Sequence, residues 1–593
     1  MEMWSLEIFF VFLLALIPVT LLLAIGYYFQ LHHYLYCIVL KLPFPNQILI
    51  RKHISFEMED KILLFADMYL PVGNRTYPTI LMRTPYGKDS AEHNYPLIAR
   101  IFAGQGYIVI IQDVRGKYSS EGIFRPFLDE EKDGKETITQ IGKFKESNGK
   151  VALWGFSYLG SCAWLTTPES SPELKTIIPI NCCQNAYMGW IDRGVPYLKD
   201  ILMWLSKHHG KTGRIVSHEE VDKMILRLPV LEFDKRLEDG IGTFKTWMYH
   251  LHSDEYWRTF SVSQRRNEIR VPVLFMGGWF DRFVNNTVDD YIKTLGVHPG
   301  GKPAASRLVI GPWGHIPTYN FPFADFGRKA SFRRQFRAMI AWLNHIMYDT
   351  PYQKFPVEYF MMGLNEWRYS NTWPPEQMRF RSYFLRSEGN ANTFFGNGSI
   401  LSSEPDNATE DHYIYEPENP VPSLGNRMLY GNETDGPCDQ TPLYERKDIL
   451  FYRSFPLVEN LEIAGPIKAV IYMSSSAVDT DFAVKLCDLH PDNKSYYLIN
   501  GYVRMRFLDT LFEKKGIERG AIYRIEVFLG HTAHTFLKDH RLLLQITSSD
   551  FPNHERNLNT GRSNERDSEK IKAYQTIYCG GDYLSHLILP VLK

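Results

Sequence analysis

Charge of either sign is nearly balanced in this sequence. Lys and Arg number 66 against 67 Asp and Glu, a formal net charge of −1 over 593 residues. With no basic excess there is no electrostatic footprint for a polyanion, so nucleic acid is not an expected partner. Cysteine is sparse: Cys37, Cys162, Cys182, Cys183, Cys438, Cys487 and Cys579 are the only seven. They make no C-x-x-C pair and no zinc spacing, so neither a metal nor another cofactor is expected. The odd count leaves at least one thiol without a partner in its own chain, and a bridge from Cys438 to Cys487 or to Cys579 stays open. No internal repeat is present. What is plentiful is apolar and aromatic side chains, 44% and 14% of the residues. That composition supports large packed cores and argues against bulk disorder, and the length predicts two to four domains.

Residues 8–29 carry no charge, and the run is long enough to span a bilayer. Trp4, Tyr27 and Tyr28 at its ends suit the membrane interface. A cleaved signal peptide is the competing reading. Against it, the run exceeds a usual apolar core, no basic segment precedes it and no clean small-x-small site follows. Residues 1–45 are therefore read as a membrane anchor and juxtamembrane segment, a single N-terminal transmembrane helix with the lipid bilayer as its partner. Glu2 and Glu7 precede the run while His32, His33, Lys41, Arg51 and Lys52 follow it, which by charge counting places the bulk of the chain in the cytoplasm. Six N-x-Ser/Thr sequons (Asn74, Asn285, Asn397, Asn407, Asn432, Asn493) point the other way. The reading adopted is a glycosylated, lumenal or extracellular chain.

From Ile48 to about Asn365 strands and helices alternate. Ile48–Phe56 and Lys61–Leu70 read as a hairpin. Tyr77–Arg83, Tyr107–Asp113, Val151–Trp154, Thr176–Ile180, Val271–Met276 and Ser306–Ile310 read as strands. Ala91–Ala103, Asp129–Phe144 and Lys329–Met347 read as helices. Continuous apolar strands between helices predict a mainly parallel α/β sheet, here residues 46–375. Between Asn185 and Asn267 the pattern turns helical and rich in Trp, Met and Tyr, an insertion of the kind that caps a ligand crevice. Beyond about Arg379, short β-like runs (Arg381–Leu385, Leu461–Met473, Asp481–Leu486, Ala521–Leu529, His540–Thr547) alternate with turn residues. That spacing predicts an antiparallel β-sandwich or jelly roll over residues 376–593. Glu388–Gln440 reads mostly as long loop.

The chemistry starts at Val151-Ala-Leu-Trp-Gly-Phe-Ser157-Tyr-Leu-Gly160. An apolar strand runs into a glycine, a serine follows two residues later, and a helix begins. This is the pattern of a nucleophile elbow, whose strained turn needs small flanking residues. The second glycine stands three residues after the serine, with Leu159 in the usual place, so the motif is the variant G-x-S-x-x-G. A serine needs a base, and the base an orienting group. Val271-Pro-Val-Leu-Phe-Met-Gly-Gly-Trp-Phe-Asp281 ends a strand on an acid, and Ser306-Arg-Leu-Val-Ile-Gly-Pro-Trp-Gly-His315 ends one on a histidine. Singly, Asp281 reads as well as a helix cap and His315 as a loop histidine. Together they stand in the Ser…Asp…His order of α/β-hydrolases. An oxyanion needs donors: the N–H of Tyr158, and a second from an earlier strand end, where Tyr86 follows Tyr77–Met82. A tyrosine merely packing that turn is the competing reading.

The motifs Arg83-Thr-Pro-Tyr-Gly-Lys, Gln112-Asp-Val-Arg-Gly, Gly155-Phe-Ser-Tyr-Leu-Gly, Gly277-Gly-Trp-Phe-Asp and Gly311-Pro-Trp-Gly-His, with Gly436-Pro-Cys-Asp-Gln and Ser548-Ser-Asp-Phe-Pro later, resemble the CocE/NonD family of X-Pro dipeptidyl-peptidase-like hydrolases. The resemblance covers roughly residues 48–580. It implies an α/β-hydrolase domain with a helical cap at about 185–265 and a jelly-roll domain after it. It implies a Ser157–His315–Asp281 triad, with the Tyr86 hydroxyl and Tyr158 N–H as oxyanion hole, and Asp113 with Arg115 as a structural pair beneath. Members cleave esters, acylated β-lactams or peptides with proline next to the N-terminal residue. The last class needs an acid for the substrate ammonium. Arg282-Phe283-Val284 supply none, and Asp192, Glu219 and Glu220 are candidates set against a solvated-surface reading. Tyr187, Trp190, Tyr197, Trp204, Trp247 and Tyr249 either line an apolar pocket or fill the cap core. The expectation is a serine hydrolase acting on a small ester or amide. An X-Pro dipeptidyl peptidase is the alternative enzyme, and a cell-surface binding protein with an inert hydrolase fold is the non-enzyme alternative.

Overall fold

The continuous apolar runs of the first half pair into one sheet. In the computed structural model its strands are β1 (Ile48–Glu57), β2 (Leu63–Pro71), β3 (Tyr77–Thr84), β4 (Ile108–Asp113), β5 (Ser147–Phe156), β6 (Leu174–Ile180), β7 (Leu274–Phe280), β8 (Arg307–Gly314), β9 (Val357–Met361) and β10 (Glu366–Ser370), in the order β1-β2-β4-β3-β5-β6-β7-β8-β9-β10. From β4 through β9 neighbours run parallel, while β1, β2 and β10 are antiparallel to theirs. Every residue of β3, β4, β7, β8 and β9 is buried. Such strands read as unbroken apolar runs because helices cover both faces. This is an α/β-hydrolase sheet.

The structure describes residues 32–208, 210–213, 217–236, 242–298, 305–316, 318–430, 435–508 and 515–593, with 18, 20 and 21. All but three residues of the apolar run 8–29 lie outside the described residues. Among the described residues no helix is long and apolar enough to cross a membrane.

Two strand ends differ from expectation for one reason. The expected strands stop at Met276 and Ile310, before Gly277-Gly278 and Gly311-Pro-Trp-Gly314, yet β7 and β8 continue through these glycines. A Cβ on Gly278 would stand 2.1 Å from the Trp313 carbonyl oxygen, and one on Gly311 about as close to the Trp313 ring, at 2.4 Å. The glycines mark close approach inside the strands rather than their ends. The expected helix Lys329–Met347 is Phe332–Tyr348, and beyond it the unexpected pair β9/β10 extends the sheet.

Between β6 and β7 the cap carries α1 (Leu198–Lys207), α2 (His218–Ile225) and α3 (Gly242–Tyr249) with shorter turns. Tyr187, Trp190, Trp204 and Trp247 are buried, Tyr197 is partly covered and Tyr249 is exposed. Most of the cap aromatics are thus core. Residues 378–592 form an eleven-stranded sheet in which all but one pairing is antiparallel, a β-rich domain built around the long pair Leu461–Ser475 and Tyr523–Phe536. The tract expected as loop holds two of its strands, Ser399–Leu401 and Thr409–Tyr415. Backbone bonds from Met362 N–H to Ala533 and from Thr535 N–H to Met362 join it to the β9 edge, at 3.1 and 2.9 Å. All seven cysteines are buried and none is disulfide-bonded, so the bridge considered at Cys438 does not form. The Cys438 thiol donates instead to the Asp435 carbonyl at 3.5 Å.

Candidate active site

The elbow is built from the backbone up. Ser157 joins β5 to the helix Tyr158–Thr166 with φ +58° and ψ −124°, a conformation a non-glycine residue adopts only under constraint. Its N–H is tied to the Ile180 carbonyl at the end of β6, at 2.9 Å. The tight turn brings the helix backbone onto the strand end: a Cβ at Gly155 would lie 2.1 Å from the Leu159 carbonyl. One at Gly160 would lie 2.4 Å from the Cys182 sulfur. Position 159 has no such crowding and its leucine is buried in the core. The second glycine is needed at 160 in this chain, which accounts for the variant spacing.

Asp281 and His315 follow the ends of β7 and β8, neighbouring strands in the sheet. His315 Nε2 lies 3.1 Å from Ser157 Oγ and its Nδ1 2.7 Å from Asp281 Oδ1. Asp281 is fully buried, and its Oδ2 accepts the Phe283 N–H at 3.0 Å. Asn181 donates to the His315 carbonyl at 2.9 Å, and Phe156 and Phe283 flank the imidazole. Strand ends, backbone and ring contacts fix the three groups in one line.

Tyr86 follows β3 and is 7% exposed. Its hydroxyl accepts from Trp204 Nε1 at 3.0 Å, and Tyr86 lines the same cavity as Ser157. An indole can only donate, so the phenol's own proton remains available to the site. Burial raises the Tyr86 phenol above its ordinary range, keeping it protonated. The Tyr158 side chain turns to a different task. Its hydroxyl donates to Glu130 at 2.9 Å and accepts from Phe127 N–H at 2.8 Å. Glu130 in turn pairs with the buried Arg83 at 2.8 Å. The Tyr158 N–H, first in its helix, has no acceptor within the helix.

Other expected contacts are not made. Asp113 and Arg115 are not a pair. Asp113 accepts the Lys88 N–H at 2.7 Å, and burial pushes its carboxyl up to about 6. Arg115 bonds to Asp133 and Asp60. The cause is the turn after β4, which sends the two side chains to different segments. Among the cap acids, Asp192 pairs with His554 at 3.4 Å, Glu219 with Lys223, and Glu220 closes a capping box on Ser217. None of them lines the cavity at Ser157.

That cavity measures about 1200 Å³ and is walled by aromatic rings, among them Tyr86, Trp204, Phe321, Phe336 and Tyr430. Among the described residues its acids are Glu92, exposed at the rim, and Asp435. Asp435 Oδ1 is buried without a hydrogen-bond partner. Burial first, and the Asp200 carboxylate second, push its carboxyl well above the usual range. Asp200 is itself paired with Arg282 at 2.5 Å, and it holds the backbone of Leu429 and Tyr430, which line the cavity. The residue after Asp281 is therefore a clamp on the C-terminal domain. Sequence reading missed Trp204 as a partner of Tyr86, the Asp200–Arg282 pair and Asp435. Only the last had a signal, its place directly before the Gly436-Pro-Cys motif.

Residues 60–317 match the X-Pro dipeptidyl-peptidase (S15 family), and residues 352–588 match the X-Pro dipeptidyl-peptidase C-terminal non-catalytic domain. A cocaine esterase of Rhodococcus sp. (strain MB1 Bresler) is 31% identical over 581 residues, covering 92% of this chain and 99% of its own. Two solved structures share the fold at 24% identity. An aminopeptidase of a Thaumarchaeota archaeon has a TM-score of 0.82 over 92% of this chain and 97% of its own, and an α-amino acid ester hydrolase has 0.80 over the same shares. A CocE/NonD family hydrolase of Staphylococcus aureus has a TM-score of 0.66 at 15% identity, over 92% and 94%. The chain belongs to the CocE/NonD family of X-Pro dipeptidyl-peptidase-like enzymes and is a serine hydrolase.

Proposed function

We propose that this enzyme hydrolyses carboxylic esters through an acyl-enzyme on Ser157, and the observation that carries the proposal is the unbroken Ser157–His315–Asp281 hydrogen-bond line. Ser157 Oγ adds to the ester carbonyl carbon while its proton passes to His315 Nε2. Asp281 keeps the Nδ1 proton in place and stabilises the imidazolium. The Tyr86 hydroxyl and Tyr158 N–H donate to the oxyanion. The tetrahedral adduct collapses, His315 returns the proton to the leaving alcohol, and water releases the acid by the same steps in reverse. Tyr86→Phe is expected to lower kcat by about 10²–10³-fold with KM little changed, the cost of one oxyanion donor. A KM rise with unchanged kcat would make Tyr86 a packing residue instead.

The aromatic cavity suits an apolar acyl or aryl group. A second reading, an X-Pro dipeptidyl peptidase or another hydrolase of amine-bearing substrates, is favoured by Asp435. A carboxyl with one oxygen, Oδ1, lacking a hydrogen-bond partner and lining the nucleophile's cavity is suited to a substrate ammonium, which would ionise it on binding. The test compares a p-nitrophenyl acyl ester, its α-amino twin and a Gly-Pro anilide, on the wild type and on Asp435→Asn. Ester turnover with the anilide untouched is expected for the first reading. If Asp435 holds an ammonium, the amino ester is preferred by about 10–100-fold, the worth of a charge-assisted hydrogen bond, and Asp435→Asn abolishes the preference. Equal turnover of the ester twins removes the second reading.

A further inference from the structure

A group of histidine and acid side chains in the β-rich domain takes no part in the chemistry at Ser157. Asp488 stands at the end of the strand Asp481–Leu489, and His490 opens the turn that follows, its N–H bonded to the Lys494 carbonyl at 2.9 Å. His540 closes the turn between the strands Tyr523–Phe536 and Arg541–Thr547. One ligand atom from each of the three lies within 4.8 Å of the others. Asp488 Oδ1 is 2.9 Å from His540 Nδ1, and Asp488 Oδ2 is 3.7 Å from His490 Nε2. The two imidazoles face each other across 4.2 Å. Behind them, His534 Nε2 contacts Asp488 Oδ2 at 3.1 Å.

We propose that Asp488, His490 and His540 bind a divalent transition ion of the zinc type, with His534 orienting the carboxylate. Two imidazoles and one carboxylate are a borderline-soft donor set, which suits zinc and its neighbours, whereas calcium and magnesium require oxygen ligands throughout. Zinc bonds of 2.0–2.1 Å in a tetrahedron place ligand atoms about 3.3 Å apart. The carboxylate offers one oxygen to each imidazole, at 2.9 and 3.7 Å, and the three ligand atoms lie within 4.8 Å of one another, so side-chain adjustment alone can close them around an ion. Asp488 is buried, while the His490 side chain is 37% exposed. The ion thus has a solvent route and a fourth position for water. Coordination through His540 Nδ1 places that ring's remaining proton on Nε2. His534 fills the outer role in which a hydrogen-bonded partner fixes a ligand's orientation. Sequence spacing hides this site because its ligands come from two turns about 50 residues apart in the chain.

The ion would tie two turns of the β-rich domain together beside its seam with the hydrolase domain, since the strand bearing His534 also bonds Met362 through Ala533 and Thr535. The site therefore has a stability readout independent of ester turnover. The full chain, stripped with a chelator, is titrated with Zn²⁺ by calorimetry and its melting temperature followed. One ion per chain and a rise in Tm are expected. Co²⁺ in place of Zn²⁺ should give the visible absorption of a four-coordinate site. His490→Ala, at a partly exposed position, should weaken Zn²⁺ binding by more than about 10-fold, the least that loss of an outer partner costs. It should also remove the Tm rise while leaving p-nitrophenyl ester turnover unchanged. Asp488→Asn gives a second loss of binding if His490 alone proves dispensable. No ion bound by the wild type, or binding and Tm rise retained in both variants, overturns the proposal and leaves the group an ordinary ion-pair cluster.

Discussion

Ser157→Ala is expected to lower kcat for a p-nitrophenyl ester by about 10⁶-fold, the loss seen when a triad nucleophile is removed outright. The elbow geometry makes the residue decisive. Ser157 is held at φ +58° by its bond to Ile180 and by glycines that let strand and helix touch. No other hydroxyl is bonded to His315 Nε2 among the described residues. Alanine bears the same backbone strain as serine and removes one oxygen, so stability should change by less than about 1 kcal/mol. The variant should melt like the wild type and resist labelling by a fluorophosphonate. Some catalysis over water should survive, because the proposed oxyanion donors, the Tyr86 hydroxyl and Tyr158 N–H, are retained. Retention of activity within tenfold, or continued labelling, would place the nucleophile elsewhere.

Asp281→Asn is expected to cost about 10⁴-fold in kcat with KM nearly unchanged. The argument is one of proton inventory. Buried Asp281 accepts twice, from His315 Nδ1–H and from Phe283 N–H. Asparagine has a single carbonyl oxygen. If that oxygen stays with Phe283, the amide NH₂ meets Nδ1 and stabilises the tautomer protonated on Nε2. That tautomer cannot take the proton of Ser157. If the oxygen turns to His315, the Phe283 N–H is left buried and unpaired, and the turn is destabilised. Steady-state kinetics beside a thermal melt distinguish the two: the first, which the expected kcat loss assumes, loses kcat with Tm kept, whereas the second keeps the working tautomer and loses Tm. A kcat loss below tenfold would show that His315 is oriented by something other than Asp281.

Local order was legible where the physics is local. The apolar runs became strands of a buried parallel sheet because period and turn residues are written in short windows. The glycine–serine spacing announced the elbow, and Leu159 in place of glycine was explained only when Gly160 proved to face Cys182. Glycines misled where they served packing: Gly278 and Gly311 lie inside strands because Trp313 crosses them, which no window of sequence contains. Asp113 and Arg115, a structural pair by the family resemblance, each bond to a different distant segment.

By itself the sequence determined the α/β-hydrolase sheet and the β-rich domain, and it singled out Ser157, Asp281 and His315, which the fold brings within hydrogen-bonding distance of one another. These depend on hydrophobic period, on turn chemistry and on the rule that reactive groups stand at the C-terminal ends of parallel strands. Only the tertiary structure decided that Trp204 spends its N–H on Tyr86, 118 residues earlier, and so leaves the phenol proton for the site. It also decided that Arg282 clamps Asp200 against Leu429 and Tyr430, and that Asp435, rather than Asp192, Glu219 or Glu220, lines the cavity. Those pairings depend on how three distant stretches pack together, and a hydrogen bond's partner is set by what lies within about 3 Å in space, whatever the separation along the chain.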